Sequence, residues 1–136
     1  SGFPQQAEQI TSAELPKDFV VLSGDDALTV AFVQNGAQGV ISVVGNAYPR
    51  LTSRLTHLAM QGRYNEADML QTAMRQINTQ LFQEGNPSGI KALLRLMCLI
   101  DSDTLRLPLV PVSEELRVRL DETRKELDLY ASTIGC

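Results

Sequence analysis

The 136-residue sequence is poor in several residue types on which whole classes of protein depend. It has no tryptophan, 2 cysteines and 1 histidine, too few for a disulfide framework or a histidine-rich metal site. Its 12 basic residues are outnumbered by 16 acidic ones, and the net charge of -4 offers nucleic acid no attraction through bulk charge. With 43% hydrophobic residues, the composition favours a globular domain with a real core.

No apolar run is long enough to cross a membrane. The longest, residues 89–100, is interrupted by Lys91 and Arg95, whereas a membrane-spanning helix needs about 20 apolar residues. Cys98 lies within this run and is predicted to be a small buried residue. The first residues lack the basic region and apolar core of a signal peptide. These absences predict a reducing, cytoplasmic setting.

Two short apolar runs, residues 19–22 and about 40–44, have the pattern of parallel β-strands that are covered on both faces. A short helical segment of about residues 27–34 lies between them, so the three together form a predicted βαβ unit. Two parallel strands leave backbone donors and acceptors unpaired on both edges. The sequence therefore predicts that further strands, outside this chain, complete the sheet.

Small polar residues follow both predicted strands. Gly24, Asp25 and Asp26 come after the first, and Asn46 comes after the second. Either aspartate could cap the following helix, and Asn46 could be a turn residue. The alternative is ligand binding, because ligands gather at the carboxyl ends of parallel strands. Ile41, within the second strand, either packs in a core or walls a substrate pocket if the strand belongs to a barrel.

From residue 45 onward the apolar spacing is helical. Helices are predicted at about residues 4–12, 49–60, 65–83, 90–100 and 114–130. Ser113 is the predicted cap of the last helix, and the tail after Ala131 is expected to fray. That helix also carries two predicted ion pairs with a spacing of four residues, Glu115–Arg119 and Asp121–Lys125.

No complete catalytic set can be assembled from these residues. His57 is the single histidine and has no second histidine or cysteine at ligand spacing. Residues 36–45 are rich in glycine but lack the spacing of a phosphate-binding loop. The residues alone predict half a site, with polar groups at two loop ends and no recognisable nucleophile or base.

Four segments in order resemble the carboxyl-terminal half of the dihydrodipicolinate synthase family. They are residues 22–29, residues 39–43, residues 84–87 with Lys91 just beyond, and residues 105–111. The similarity extends over about residues 3–129. Related pyruvate lyases, such as N-acetylneuraminate lyase, share the family fold, but the segments around Asp25 and around Pro108 favour the synthase.

The resemblance implies an α/β fold: the end of a (β/α)8 TIM barrel followed by an all-helical carboxyl-terminal domain. Residues 1–62 would be the last part of the barrel, with its seventh and eighth strands at about 19–22 and 40–44, and residues 63–136 the helical domain. The isolated chain is then expected to be mostly helical. The family condenses pyruvate with aspartate semialdehyde through a lysine Schiff base, in lysine (diaminopimelate) biosynthesis, with no metal or organic cofactor.

The resemblance also assigns site residues. Ile41 matches the residue that packs against pyruvate, and Gly24 and Asp25 match the loop that contacts the amino group of the semialdehyde, with Asp26 beside them. Asn86 matches an asparagine at the same substrate end. The Schiff-base lysine and the proton-relay tyrosine belong to the other half of the family sequence, so no catalytic residue is assigned in this chain. None of its candidate lysines, Lys17, Lys91 and Lys125, matches the nucleophile.

Ser1-Gly2 either ends the family's Lys-Glu-Ala-Ser-Gly segment or is a cloning remnant. In both cases the chain alone is expected to be inactive, and to form a homo-oligomer or to associate with the missing amino-terminal half. Two alternatives stay open: an N-acetylneuraminate lyase-like or 2-keto-3-deoxy sugar acid aldolase, and a non-catalytic helical oligomerisation module.

Overall fold

The computed structural model describes residues 2–136, so Ser1, on which part of the Ser1-Gly2 interpretation depends, lies outside them. Within this range the chain is mainly helical, as expected for the isolated chain. The α-helices are α1 (Pro4–Thr11), α2 (Thr29–Gln34), α3 (Pro49–Met60), α4 (Tyr64–Ala73), α5 (Arg75–Gln83), α6 (Ser88–Leu96) and α7 (Glu114–Thr133). Two 3₁₀ turns, Asp26–Leu28 and Val44–Asn46, complete the regular elements. None of the described helices is both long and apolar enough to span a membrane.

One short parallel contact forms near the two predicted strands. An isolated parallel bridge joins Ser23 to Val40, with the Ser23 amide donating to Gly39 O and the Ile41 amide donating to Ser23 O, each at 2.8 Å. Ser23 lies one residue beyond the first predicted strand, and the strands predicted at residues 19–22 and 40–44 are not formed within residues 2–136. The prediction that the second strand reaches Val44 is wrong, because Val44 begins a 3₁₀ turn. Neither apolar run forms a strand within residues 2–136. A strand needs hydrogen bonds to a neighbouring segment at successive positions, and here the two segments share one isolated bridge.

The contacts divide the chain into two compact units. The first comprises the residues up to Val43 together with Arg50–Thr72, and the second comprises Val44–Pro49 and Ala73–Cys136. The predicted domain boundary after residue 62 stays a prediction.

In the first unit, α1 and α2 pack around a small apolar cluster of Ala7, Phe32 and Ala37, with Val21 and Leu28 at its edge. Gly36 ends α2 with a φ of 92°, the left-handed conformation that favours glycine. A Cβ there would also lie 2.8 Å from the Thr11 hydroxyl oxygen. That hydroxyl donates to Asn35 O at 2.9 Å and ties α1 to the end of α2.

In the second unit, α5, α6 and α7 pack pairwise around fully buried side chains, among them Ile77, Leu81, Leu93, Leu116 and Leu120. The predicted cap of α7 is confirmed, because the Ser113 hydroxyl accepts from the Leu116 amide at 3.1 Å. The Glu84 carboxylate accepts from the Ser113 hydroxyl at 2.6 Å and from its amide at 2.7 Å. These two hydrogen bonds lower the pKa of Glu84 and tie the loop after α5 to the start of α7.

Both predicted ion pairs on α7 are confirmed, with nitrogen-to-oxygen distances of 3.9 Å for Arg119–Glu115 and 2.6 Å for Lys125–Asp121. The predicted fraying after Ala131 is wrong, because α7 continues to Thr133. There the Thr133 hydroxyl donates to Tyr130 O at 2.7 Å and helps to complete the last turn.

Two other expectations for the helical region are wrong. The predicted helix over residues 65–83 is broken at Met74 into α4 and α5. Met74 is buried and fits the apolar spacing on both sides, so the periodicity gives no sign of the break. Cys98 is exposed rather than buried, because α6 ends at Leu96 and Cys98 adopts a left-handed φ of 56° in the turn that follows.

Candidate functional site

Most of the predicted site residues lie around the bridge between Ser23 and Val40. Gly24, Asp25 and Asp26 follow the first partner directly, and Ile41 follows the second. Hydrogen bonds from the 39–43 segment to Ser23 and to Asp26 hold the two loop ends side by side. The first unit therefore brings these four predicted residues together.

Asp25 is the residue that caps the turn. Its Oδ1 accepts from the Ala27 amide at 2.8 Å at the start of the 3₁₀ turn. A carboxylate oxygen can accept from more than one donor, so this bond leaves Asp25 able to receive a cationic group. Ser23, which sequence reasoning did not single out, shapes the loop: its buried hydroxyl donates to Asp25 O at 2.9 Å. The signal for it was the serine itself, because a serine hydroxyl can hydrogen-bond to the backbone two residues further on.

Asp26 has a different environment from its neighbour. Its side chain is buried, with the residue only 6% exposed. Its Oδ2 accepts from the Val43 amide at 2.9 Å, across from one loop end to the other. Its assignment to direct substrate contact stays a prediction.

Ile41 and Gly24 face open space within the first unit. Ile41 is 69% exposed, so core packing does not account for this apolar side chain. A Cβ added to Gly24 would meet nothing within 4 Å, and Gly24 is not among the glycines with positive φ. Neither backbone conformation nor packing in this unit requires glycine there. The exposed Ile41 side chain and the open space at Gly24 leave both residues accessible to a ligand.

Asn86, the fifth predicted residue, belongs to the second unit. It lies in the exposed loop between α5 and α6, and its peptide bond to Pro87 is cis. Asn46 ends the 3₁₀ turn of the same unit. The contribution of both asparagines to a ligand site stays a prediction.

The His57 ring has a hydrogen-bond partner within its own helix, α3, where its Nδ1 lies 2.8 Å from Ser53 O. Over residues 2–136 no group of three or more histidine, cysteine, aspartate or glutamate side chains is arranged to hold a metal ion.

Comparison with known proteins identifies the family of this chain. The profile of the Dihydrodipicolinate synthetase family matches residues 4–127, which is most of the chain. The chain belongs to this family. The similarity of the four segments in the sequence is thereby confirmed.

Relatives with the name 4-hydroxy-tetrahydrodipicolinate synthase are similar over almost the whole chain. The protein of Porphyromonas gingivalis is 45% identical over 128 residues, covering 94% of this chain and 43% of its own length. That of Cytophaga hutchinsonii is 38% identical over 127 residues, covering 93% of this chain and 42% of the relative. The chain thus spans less than half the length of these dihydrodipicolinate synthase relatives.

Solved structures of the family share the fold. The 4-hydroxy-tetrahydrodipicolinate synthase of Methylacidiphilum fumariolicum superposes with a TM-score of 0.90 at 35% identity, covering 99% of this chain and 44% of that one. The dihydrodipicolinate synthase of Acinetobacter baumannii, solved in complex with pyruvate, gives a TM-score of 0.86 at 31% identity, covering 94% of this chain and 43% of that one. The mostly helical fold described above is therefore that of one part of a dihydrodipicolinate synthase.

Proposed function

We propose that this chain forms the carboxyl-terminal part of a lyase that condenses pyruvate with aspartate semialdehyde, in lysine (diaminopimelate) biosynthesis. The observation that carries the proposal is the position of Gly24, Asp25 and Ile41 at one open edge beside the Ser23–Val40 bridge. These are the residues that the family resemblance assigns to the two substrates. The pyruvate complex of the Acinetobacter baumannii relative supports pyruvate as one of them.

In this proposal the chain supplies walls of the substrate pocket. Ile41 packs against pyruvate, and Gly24 lets the second substrate approach the backbone closely. The Asp25 carboxylate attracts the amino group of the semialdehyde, which is an ammonium group near neutral pH. Asn86 is the residue that the family resemblance assigns to the same substrate.

The covalent chemistry comes from polypeptide outside these 136 residues. A lysine there forms the Schiff base with pyruvate, and no metal or organic cofactor takes part. Strands outside these 136 residues complete a (β/α)8 barrel together with the segments that meet at the Ser23–Val40 bridge, and the assembly works as a homo-oligomer in the cytoplasm. The chain by itself is inactive.

A chimera tests this function. The chain replaces the matching carboxyl-terminal segment of the Porphyromonas gingivalis protein, and condensation of pyruvate with aspartate semialdehyde is measured. We expect the chimera to be active and the chain alone to be inactive. The amino-terminal part of the Porphyromonas protein alone is the control and is expected to be inactive as well.

Two results would contradict the proposal. One is pyruvate-dependent condensation by the purified chain with no other polypeptide present. The other is a folded chimera that fails to condense these substrates while the intact Porphyromonas protein does so. A chimera that cleaves N-acetylneuraminate instead would favour the alternative lyase activity.

A further inference from the structure

We propose that Asp26 is a positioning residue, which holds Ile41 in place through the Val43 amide instead of touching a substrate. The role of Ile41 rests on the function proposed above. The hydrogen bond from Val43 to Asp26 is independent of that function, so the two can be tested separately.

The hydrogen bonds along the parallel pair follow a regular pattern. The Ser23 amide donates to Gly39 O, and the Ile41 amide donates to Ser23 O. In a parallel ladder the next rung would join the Val43 amide to Asp25 O, because partners advance by two residues on each chain. The main chain cannot supply this rung, because it turns into the 3₁₀ turn at Asp26.

The Asp26 side chain supplies the missing rung. Its Oδ2 accepts from the Val43 amide at 2.9 Å, where the ladder would otherwise have used a carbonyl oxygen. Asp25 O is instead the acceptor for the Ser23 hydroxyl at 2.9 Å. The carboxylate therefore extends the pairing of the two loop ends by one rung after the backbone of the first has turned away.

Burial of the Asp26 carboxylate makes its hydrogen bond to the Val43 amide important. A carboxylate in a residue that is only 6% exposed needs hydrogen-bond donors, since burying it without them is costly. The backbone of Asp26 is also fixed, because its carbonyl accepts from the buried Thr29 hydroxyl at 3.1 Å. Asp26 is thus a rigid point from which the second loop end is held.

Ile41 lies between the two anchors of its segment. Its own amide is bound to Ser23 O at 2.8 Å, and the Val43 amide, two residues on, is bound to Asp26 at 2.9 Å. The exposed side chain of Ile41 is therefore presented from a main chain that is held on both sides. Loss of the Asp26 acceptor releases one side, and a contact with pyruvate becomes less well placed.

Amide hydrogen exchange in the 136-residue chain tests the anchor directly. The variants are Asp26→Leu, which has no acceptor, and Asp26→Asn, which keeps a neutral one. We expect Val43 exchange to accelerate about 10- to 100-fold in Asp26→Leu, the loss expected for a hydrogen bond to a charged group, and less in Asp26→Asn. The Val30 amide, which donates to the Gln71 side chain in the same unit, is the reference and should not change.

Equal Val43 exchange in the wild type and in a folded Asp26→Leu variant would overturn the anchor. If Asp26→Leu does not fold, Asp26→Asn decides: Val43 must exchange faster than in the wild type while Val30 does not, and any other pattern contradicts the proposal.

Kinetics of the chimera test the consequence for the site. We expect Asp26→Leu to raise KM for pyruvate about tenfold, the factor that a lost positioning hydrogen bond typically costs, and Asp26→Asn to restore most of the loss. The matched control is Asp68→Leu, the same change at an exposed aspartate on α4, which should leave KM unchanged. An unchanged KM in Asp26→Leu, with Val43 exchange accelerated, would overturn the positioning role alone. An inactive wild-type chimera would instead count against the proposed function.

Discussion

At the scale of single residues, two adjacent residues of the same type can have different side-chain environments. Asp25 and Asp26 are adjacent carboxylates, yet one caps its own turn from a partly exposed position and the other is buried against Val43. The second partner lies 17 residues away along the chain, beyond the reach of any local pattern. Only the folded loop pair separates a residue suited to ligand binding from one suited to holding the loop.

Tyr48, in the second unit, is a second residue whose surroundings decide its chemistry. Its hydroxyl donates to Asp128 Oδ1 at 2.9 Å, and Asp128 also pairs with Arg124 at 2.9 Å. Burial, followed by the hydrogen bond to Asp128, raises the pKa of Tyr48 above its ordinary value. The network ties the segment before α3 to the long helix α7.

We predict that Tyr48→Phe lowers the free energy of unfolding at pH 7 by about 1 kcal/mol, because the buried hydrogen bond is lost. The pKa of Tyr48 is raised on folding, so its stabilisation is complete below the ordinary value of about 10 and is lost as pH rises above it. The difference between wild type and variant should therefore shrink above pH 10 in denaturant titrations. Tyr130→Phe is the matched control on α7, and a pH-independent difference for Tyr48→Phe would contradict the prediction.

At the scale of elements, the close packing of α5 against α6 depends on one glycine. A Cβ built on Gly89, in the first turn of α6, would lie 2.7 Å from the Leu81 carbonyl carbon on α5. This neighbour is backbone and cannot rotate away as a side chain could. The two helices can therefore approach this closely only where α6 has no side chain.

We predict that Gly89→Ala lowers the free energy of unfolding by about 1–3 kcal/mol, the range for overpacking, because the helices must separate. Intrinsic preference acts the other way, since alanine favours a helix over glycine by about 1 kcal/mol. A lower melting temperature would thus isolate the steric effect. Gly24→Ala, whose Cβ meets nothing within 4 Å, is the matched control and should melt like the wild type. A more stable Gly89→Ala variant would show that the close approach is not required.

At the scale of the whole molecule, ion pairs make stability depend on acidity. Hydrogen bonding to Arg117 lowers the pKa of Asp103, and hydrogen bonding to Lys125 and then to Arg124 lowers the pKa of Asp121. For both groups the folded pKa lies below the unfolded value of 3.8. The stabilisation is therefore complete above that pH and is lost as the pH falls through the lowered folded values.

We predict that the double variant Asp103→Asn with Asp121→Asn loses less stability than the wild type as the pH falls. Each pair is partly exposed and is expected to contribute no more than about 1 kcal/mol, so the loss at pH 7 should be modest. Melting temperatures measured between pH 7 and pH 2 should converge for the variant and the wild type at the acid end. Asp68→Asn, outside these pairs, serves as the control. Parallel curves at all pH values would refute the assignment.

The first unit also presents an exposed apolar surface. Its exposed members include Phe19, Val20, Leu22 and Ile41, which flank the Ser23–Val40 bridge. Extended edges and apolar surface of this kind promote association. If the chain is a non-catalytic helical oligomerisation module, the alternative considered in the sequence analysis, this apolar surface would mediate the oligomerisation.

We predict that the isolated chain self-associates, with a mass in light scattering that rises with concentration. Val20→Glu should reduce the association, because it places a charge on a residue that is 52% exposed beside the open edge. Met69→Glu, at a residue 68% exposed on α4, is the matched control and should associate like the wild type. A wild-type chain that stays monomeric at high concentration would rule out this prediction.

Sequence reasoning accounts for most of the helices and for the family, because both depend on local information. Apolar spacing, capping residues and glycine positions act over a few residues, and they placed α1, α3 and the start of α7 correctly. The four family segments can be found without any contact being known. Boundaries were less predictable: the break at Met74 and the end of α6 before Cys98 leave no mark on the periodicity.

What the tertiary structure alone decided is how the two loop ends are joined. The sequence suffices to name Gly24, Asp25, Asp26 and Ile41 as candidates, since residue types and order carry the family pattern. It cannot tell that the bridge is confined to Ser23 and Val40, or that Asp26 replaces the next rung. Those features depend on hydrogen bonds between residues far apart in the chain, whose geometry exists only after the chain has folded.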